Sequence, residues 1–221
     1  IKARLSYAGR VERPLPQSLE MRVGGFGGVA GLATYLRQEK ITHLVDATHP
    51  FAAQMSRNAL MACTQADVKL LALTRSAWTP RNGDNWTAVP DLDAAVICLD
   101  QPARRVMLAI GRQHLALFYA QPHHTYLLRL VDPPKTKLAF DHHILEISRG
   151  PFTVAADTAL IKTHQIDLIV AKNSGGEGAY AKIEAARNLG LPVIMIDRPV
   201  LPERAETDQP ELVLDWLAQS S

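Results

Sequence analysis

One local pattern recurs along the whole chain: a short apolar run, a turn, then a stretch with helical spacing. Apolar runs at 3–7, 42–47, 68–73, 86–89, 105–110, 126–131, 144–148, 167–171 and 192–196 predict strands. Helices are predicted over 28–40, 52–66, 91–99, 113–120, 153–164, 179–189 and 211–219. In the first of these, Val29, Leu32, Ala33 and Leu36 fall at i, i+3, i+4 and i+7, on one face. A helix between two strands lets them run parallel, because it carries the chain back to the starting edge. The run RVMLAI at 105–110 is apolar without alternation, as expected of a sheet covered on both faces. The fold class is therefore α/β, doubly wound, with parallel sheets. A polar, proline-bearing DQPAR stretch at 100–104 precedes a restart of the pattern, so two domains are expected, 1–100 and 101–221.

Composition removes several functions. The chain has 221 residues, 47% apolar, and 24 basic against 22 acidic side chains, for a net charge of +2. That apolar content supports a folded core and excludes a disordered chain. The near-cancelled charge, with no Lys/Arg block, gives no field for nucleic acid. No apolar run reaches the ~20 residues a membrane-spanning helix needs. Cys63 and Cys98 are read as buried, reduced thiols; no metal-ligand spacing is present, and no metal is expected. Without a signal peptide the cytoplasm is the expected compartment, and a monomer the expected state. The chain opens on a strand-like segment with no initiator Met, so residues before Ile1 are expected.

In open α/β sheets, ligands bind beyond the carboxyl ends of the strands. Here those ends carry Ser6, Tyr7, Gly9 and Arg10; then Gly24, Gly25, Phe26 and Gly27; then Asp46, Thr48 and His49. In the second half they carry Arg112, Arg149, and the run Lys172, Asn173, Ser174, Gly175 and Gly176. The segment from Gly25 to Ala30 formally fits G-x-G-x-x-A, with Asp46 placed 21 residues on, where a ribose clamp belongs. A second formal match at Gly176 shows how cheap that pattern is. What holds for both is a tight turn whose backbone N–H groups can face an anion. Arg10 ends the first strand, where an arginine suits a 2′-phosphate; the alternative is a solvated surface side chain. His49, beside Asp46, Thr48 and Ser56, reads as ligand-facing, with a helix-start cap as the alternative. His123, His124, His142 and His143 come in adjacent pairs and read as loop and surface residues.

The segments LSYAGR, RVGGFGGVAGLATYL, VDATHPFAAQMSRNA, GRQ, RGPF and AKNSGGEGAYAKIEAARNLGLPVIMIDRP, in this order, closely resemble the precorrin-6A reductase family of vitamin B12 biosynthesis. The likeness runs from Leu5 to about Pro202. It implies two Rossmann-like domains with an inter-domain cleft, the first for NADPH and the second for substrate. It also implies reduction of one C=C bond of the tetrapyrrole-derived macrocycle precorrin-6A to give precorrin-6B. Family members open with a strand and a GGTxE-type phosphate turn, which this sequence lacks. The family's cofactor contacts fall here on Ser6, Tyr7, Gly9, Arg10, Gly24, Gly25, Phe26, Gly27 and Thr48. The carboxylate-rich substrate suits Arg112, Arg149, Lys172 and the Asn173-Ser174-Gly175-Gly176 turn. His49 is expected to donate a proton, with Asp46 orienting it. The alternatives are a reductase of another polycarboxylated substrate and a nucleotide sensor without turnover.

Overall fold

The computed structural model describes residues 2–9 and 17–219. Its elements in order are β1 (Arg4–Tyr7), β2 (Glu20–Val23), α1 (Gly28–Gln38), β3 (His43–Asp46), α2 (Ala53–Ala66) and β4 (Lys69–Leu73). These are followed by β5 (Asn85–Val89), α3 (Leu92–Ile97), β6 (Arg105–Ala109), a 3₁₀ helix (Arg112–Ala120), β7 (Thr125–Leu130) and β8 (His143–Ile147). The last are α4 (Val154–Thr163), β9 (Leu168–Lys172), α5 (Ala181–Leu189), β10 (Pro192–Ile196), β11 (Glu206–Thr207) and α6 (Pro210–Ala218). Strands and helices alternate and every strand pair is parallel, so the α/β class read from the sequence holds. β2 and β11 were not anticipated. Both are short and mostly exposed, and carry too few apolar residues to stand out.

The chain divides into two compact units, 1–76 with 200–221, and 77–199. The boundary expected near residue 100 is corrected by strand pairing. β5 hydrogen-bonds along its whole length to β10, so it belongs with the later strands. β11 pairs with β4, Glu206 opposite Ala72, and so returns the end of the chain to the first unit. The DQPAR stretch is a turn inside the second unit rather than a linker.

The first unit holds a β1–β2 pair and a three-stranded sheet in the order β11-β4-β3. Its core forms where Leu32, Ala33 and Leu36 of α1 meet Ala59, Ala62 and Cys63 of α2. Alanines at this contact let the helices approach closely. The predicted heptad-like stripe of α1 is therefore the buried one, with Val29 at its partly buried edge.

The second unit is built on one sheet in the order β5-β10-β9-β6-β7-β8. Every residue of β9 is buried, as is most of β6, β7 and β10. Met107, Leu127, Ile169 and Met195 pack there against Ile161 of α4 and Ile183, Ala185 and Ala186 of α5. Asp91 and Thr153 cap α3 and α4 by accepting from Ala94 N and Ala156 N. Residues 113–120 tighten into a 3₁₀ helix rather than the expected α-helix. His124 is another correction. It is fully buried, its Nδ1 accepting from Arg104 N at 3.0 Å while Nε2 lies 2.8 Å from Leu99 O.

Candidate functional site

In the first unit the candidate residues sit on turns after β1, β2 and β3. Gly24 N donates to Tyr7 O at 2.8 Å, which ties the first two turns together. Arg22, at the centre of β2, folds its guanidinium back over the glycine turn. It donates to Gly24 O at 2.6 Å and Gly25 O at 2.7 Å, and lies 3.9 Å from the centre of the Phe26 ring. A weaker contact at 3.4 Å reaches Ser6 Oγ. The turn's carbonyls are thus neutralised by a cation, which favours the approach of an anion to its N–H groups.

The backbone here requires glycine. Gly24, Gly27 and Gly28 have φ of 126°, 78° and 82°. A Cβ at Gly24, Gly25 or Gly27 would meet nothing within 4 Å, so the space over the turn is open to a ligand. Gly31 is constrained differently: its Cβ would stand 1.7 Å from Phe26 O, because the first turn of α1 closes against the loop. Tyr7 is half-buried and Gly9, at φ 74°, is exposed. Arg10 lies outside the described residues.

β3 ends on Asp46, whose side chain is 2% exposed. Its Oδ1 accepts from Thr48 N at 3.1 Å and Thr48 Oγ1 at 2.7 Å; Oδ2 accepts from Ser56 Oγ at 2.6 Å and Arg204 Nη1 at 2.7 Å. Burial alone would push this carboxyl up. The two hydroxyls, the Thr48 N–H and the Arg204 charge outweigh it and hold the carboxyl below its ordinary value. Asp46 was expected to orient His49. Its oxygens are instead filled by Thr48, Ser56 and Arg204, so it anchors the turn on which His49 rides. His49 itself is exposed, with Nδ1 accepting from Phe51 N at 3.2 Å.

In the second unit, β6, β7 and β8 run to one edge of the sheet and β9 and β10 lie on the other side of β6. The order therefore reverses between β6 and β9, the position at which open sheets bind ligands. β6 leads into Gly111, at φ 82°, and the exposed Arg112. Arg112 lines an open cavity of 320 Å³ with Tyr119, Lys135 and Thr136. β9 ends on Lys172, which is buried; burial pushes its ammonium down to about 8. Ser174 and Gly175 are also buried, and Gly175 and Gly176 share a φ of 68°. Arg149 follows β8 and pairs with Asp132 at 3.2 Å.

Asn173 is reassigned. Its Oδ1 accepts from Trp78 N at 2.8 Å and its Nδ2 donates to Trp78 O at 2.9 Å, so the amide is occupied within the protein. Trp78 in turn donates Nε1–H to Gly176 O at 2.7 Å, and Lys182 donates to Ala179 O at 2.5 Å. The 174–180 loop is held by its carbonyls from both sides. Sequence reasoning missed Arg22, Trp78, Lys182 and Arg204 as supports. Only Arg22, adjacent to the glycine run, offered a signal. The described residues include no group of three or more His, Cys, Asp or Glu side chains able to hold a metal. None of their helices is long and apolar enough to cross a membrane.

The sequence matches the family described as Precorrin-6x reductase CbiJ/CobK over residues 1–218. A precorrin-6A reductase of Rhodobacter capsulatus is 56% identical over 217 residues, covering 98% of this chain and 86% of that protein. One from Mycobacterium tuberculosis is 40% identical over 214 residues, covering 96% and 86%. A cobalt-precorrin-6A reductase of Priestia megaterium is 29% identical over 178 residues, covering 76% and 69%. A solved structure titled CobK precorrin-6A reductase superposes with a TM-score of 0.94 at 56% identity, covering 98% of this chain and 86% of that one. Such agreement in sequence and in backbone leaves one assignment: this chain is a member of the Precorrin-6x reductase CbiJ/CobK family.

Proposed function

We propose that this chain reduces one C=C bond of precorrin-6A with NADPH, giving precorrin-6B. The first unit takes the nucleotide and the second the macrocycle. The observation that carries the cofactor half is the open glycine turn at Gly24, Gly25 and Gly27, with its carbonyls drawn onto Arg22. That arrangement fits a phosphate group, and Ser6, Tyr7, Gly9, Phe26 and Thr48 border it in sequence or along the strand ends. Arg10 is assigned to the 2′-phosphate, as a permanently charged side chain that follows the first strand in sequence. When bound, NADPH supplies the hydride.

The protein's own residues bind, orient and protonate. Arg112, Arg149, Lys172 and the Ser174-Gly175-Gly176 turn take the peripheral carboxylates of the macrocycle. Several such contacts fix the ring, and orientation provides much of the acceleration. The buried Lys172 favours a carboxylate strongly, because an anion beside it offsets the cost of its desolvation. Reduction of the double bond adds a hydride to one carbon and a proton to its neighbour. His49 is assigned as proton donor, acting as the imidazolium and returning to a neutral ring after transfer. We assign the chain to the cytoplasm as a monomer.

The test is NADPH oxidation in the presence of precorrin-6A, with the product expected to gain two hydrogen atoms by mass. Oxidation with simple enones but not with precorrin-6A would overturn the substrate, and NADPH binding without turnover would make the chain a sensor. Arg10→Ala is expected to raise KM for NADPH at least ~10-fold while leaving that for NADH nearly unchanged, the loss expected of a charge-assisted contact. Equal effects on the two would remove Arg10 from the 2′-phosphate.

A further inference from the structure

The Asp46 carboxylate is saturated in a way that determines what its neighbours can offer. A hydroxyl carries one proton and two lone pairs. Thr48 Oγ1 gives its proton to Asp46 Oδ1 at 2.7 Å, and Ser56 Oγ gives its proton to Oδ2 at 2.6 Å. The 3.3 Å contact between Thr48 Oγ1 and Ser56 Oγ therefore has no proton left for it. Thr48 is half-buried, between the exposed Ala47 and His49, so its remaining capacity is to accept from a ligand.

The arrangement depends on a residue from the far end of the chain. Arg204 reaches Asp46 Oδ2 at 2.7 Å across 158 residues, from the segment that adds β11 to this unit. Its Nε also meets Glu206 at 3.4 Å, which fixes the guanidinium from its other side. The Arg204 and Asp46 side chains are 8% and 2% exposed, so water substitutes poorly for either partner. Without the guanidinium, the buried carboxylate keeps its Thr48 and Ser56 donors but loses its counter-charge, which favours proton uptake or rotation toward solvent. Either change would free the Thr48 hydroxyl to turn into a donor. With it, Asp46 stays charged and Thr48 stays an acceptor.

We propose that Arg204 is a positioning residue for the nucleotide turn: acting through Asp46, it commits the Thr48 proton and fixes Thr48 Oγ1 as an acceptor for an N–H or O–H donor of the bound nucleotide. The proposal rests on the nucleotide-binding reading above. It assigns this turn the opposite preference to the glycine turn, which suits an anion. On a pyridine nucleotide the eligible donors are the carboxamide N–H and the ribose hydroxyls.

The test measures NADPH dissociation constants on the full chain by fluorescence, with no turnover required. R204M and T48V are each expected to weaken binding ~10-fold, in keeping with loss of one hydrogen bond in a partly buried site. The double variant is expected to be no weaker than either alone, because both act through one hydroxyl. R204K, which keeps a charge and a donor, is expected to recover most of the loss. If R204M does not fold, the same cycle is run with R204Q and T48V, since glutamine keeps a donor toward Asp46 but removes the charge. The 3-acetylpyridine analogue of NADPH lacks the amide N–H. Loss of the T48V penalty with that analogue identifies the carboxamide as donor, and persistence identifies a ribose hydroxyl. Additive losses of ~100-fold in the double variant, or wild-type affinity in R204M, would overturn the proposal. A wild-type chain with no affinity for NADPH would refute the functional reading instead.

Discussion

His49 follows Thr48 on a turn whose geometry is held from below by Asp46, and it presents an exposed ring with Nδ1 engaged by Phe51 N. A neutral imidazole so held carries its proton on Nε2; the form that donates is the imidazolium, in which Nδ1 gives up its acceptor role toward Phe51 N. His49→Ala is expected to lower kcat ~100-fold, the lower range for a general acid, with the NADPH dissociation constant unchanged. Single-turnover kinetics would check it, and near wild-type turnover would assign the proton to a bound water or to the substrate. At this scale the sequence was informative where residue type and conformation coincide. Glycines at 24 and 27 are needed because the backbone there takes positive φ, and that need is written locally. Asp46 is the counterexample. Its place beside His49 in sequence suggested a pair, but the partners that fill it include Ser56 from α2 and Arg204 from the end of the chain.

The 174–180 loop draws its order from three supports on different elements. Trp78 precedes β5, Asn173 follows β9 and Lys182 lies in the first turn of α5. Together they hold the carbonyls of Gly176 and Ala179. Trp78→Phe keeps the ring and removes the indole donor. It is expected to raise KM for precorrin-6A several-fold, the worth of about one hydrogen bond, while NADPH affinity stays at the wild-type value. Steady-state kinetics at saturating NADPH would check this, and an equal loss of NADPH affinity would contradict it. The sequence placed this loop correctly at a strand end, because strand, turn and helix lie within some twenty residues of one another. It did not show that Asn173 serves the loop rather than a ligand. That depends on a tryptophan 95 positions earlier.

Stability of the whole molecule carries the cost of buried cations. Lys182 is buried in the second unit, 5.1 Å from the centre of the Trp78 ring. Desolvation, reinforced by Arg129 and opposed by Asp157, pushes its ammonium down to about 8. Because the folded value lies below the unfolded one, the neutral form is the one the fold prefers. Between pH ~8 and ~10.5 the unfolded chain binds the extra proton, so stability rises with pH across that window. Lys182→Met is expected to stabilise the protein at pH 6 by up to about 3 kcal/mol, with the difference from wild type closing above pH ~8. Urea unfolding across that range would measure it. A pH-independent difference would show that Lys182 acts through packing and its Ala179 hydrogen bond alone.

By itself the sequence determined the alternation of strands and helices, the parallel sense of the sheets, and the glycine turns at the strand ends. These follow from periodicity and backbone conformation, which operate over a few residues. The tertiary structure decided which strands share a sheet. β5 joins β10 and β11 returns to β4, which moves the division from residue 100 to 76 and 200. It also decided which charges meet, as Arg204 and Asp46 do across 158 residues. The reason is physical: a strand edge and a buried charge each accept whichever compatible partner the completed fold brings to them, and nothing in a local stretch of chain specifies that partner.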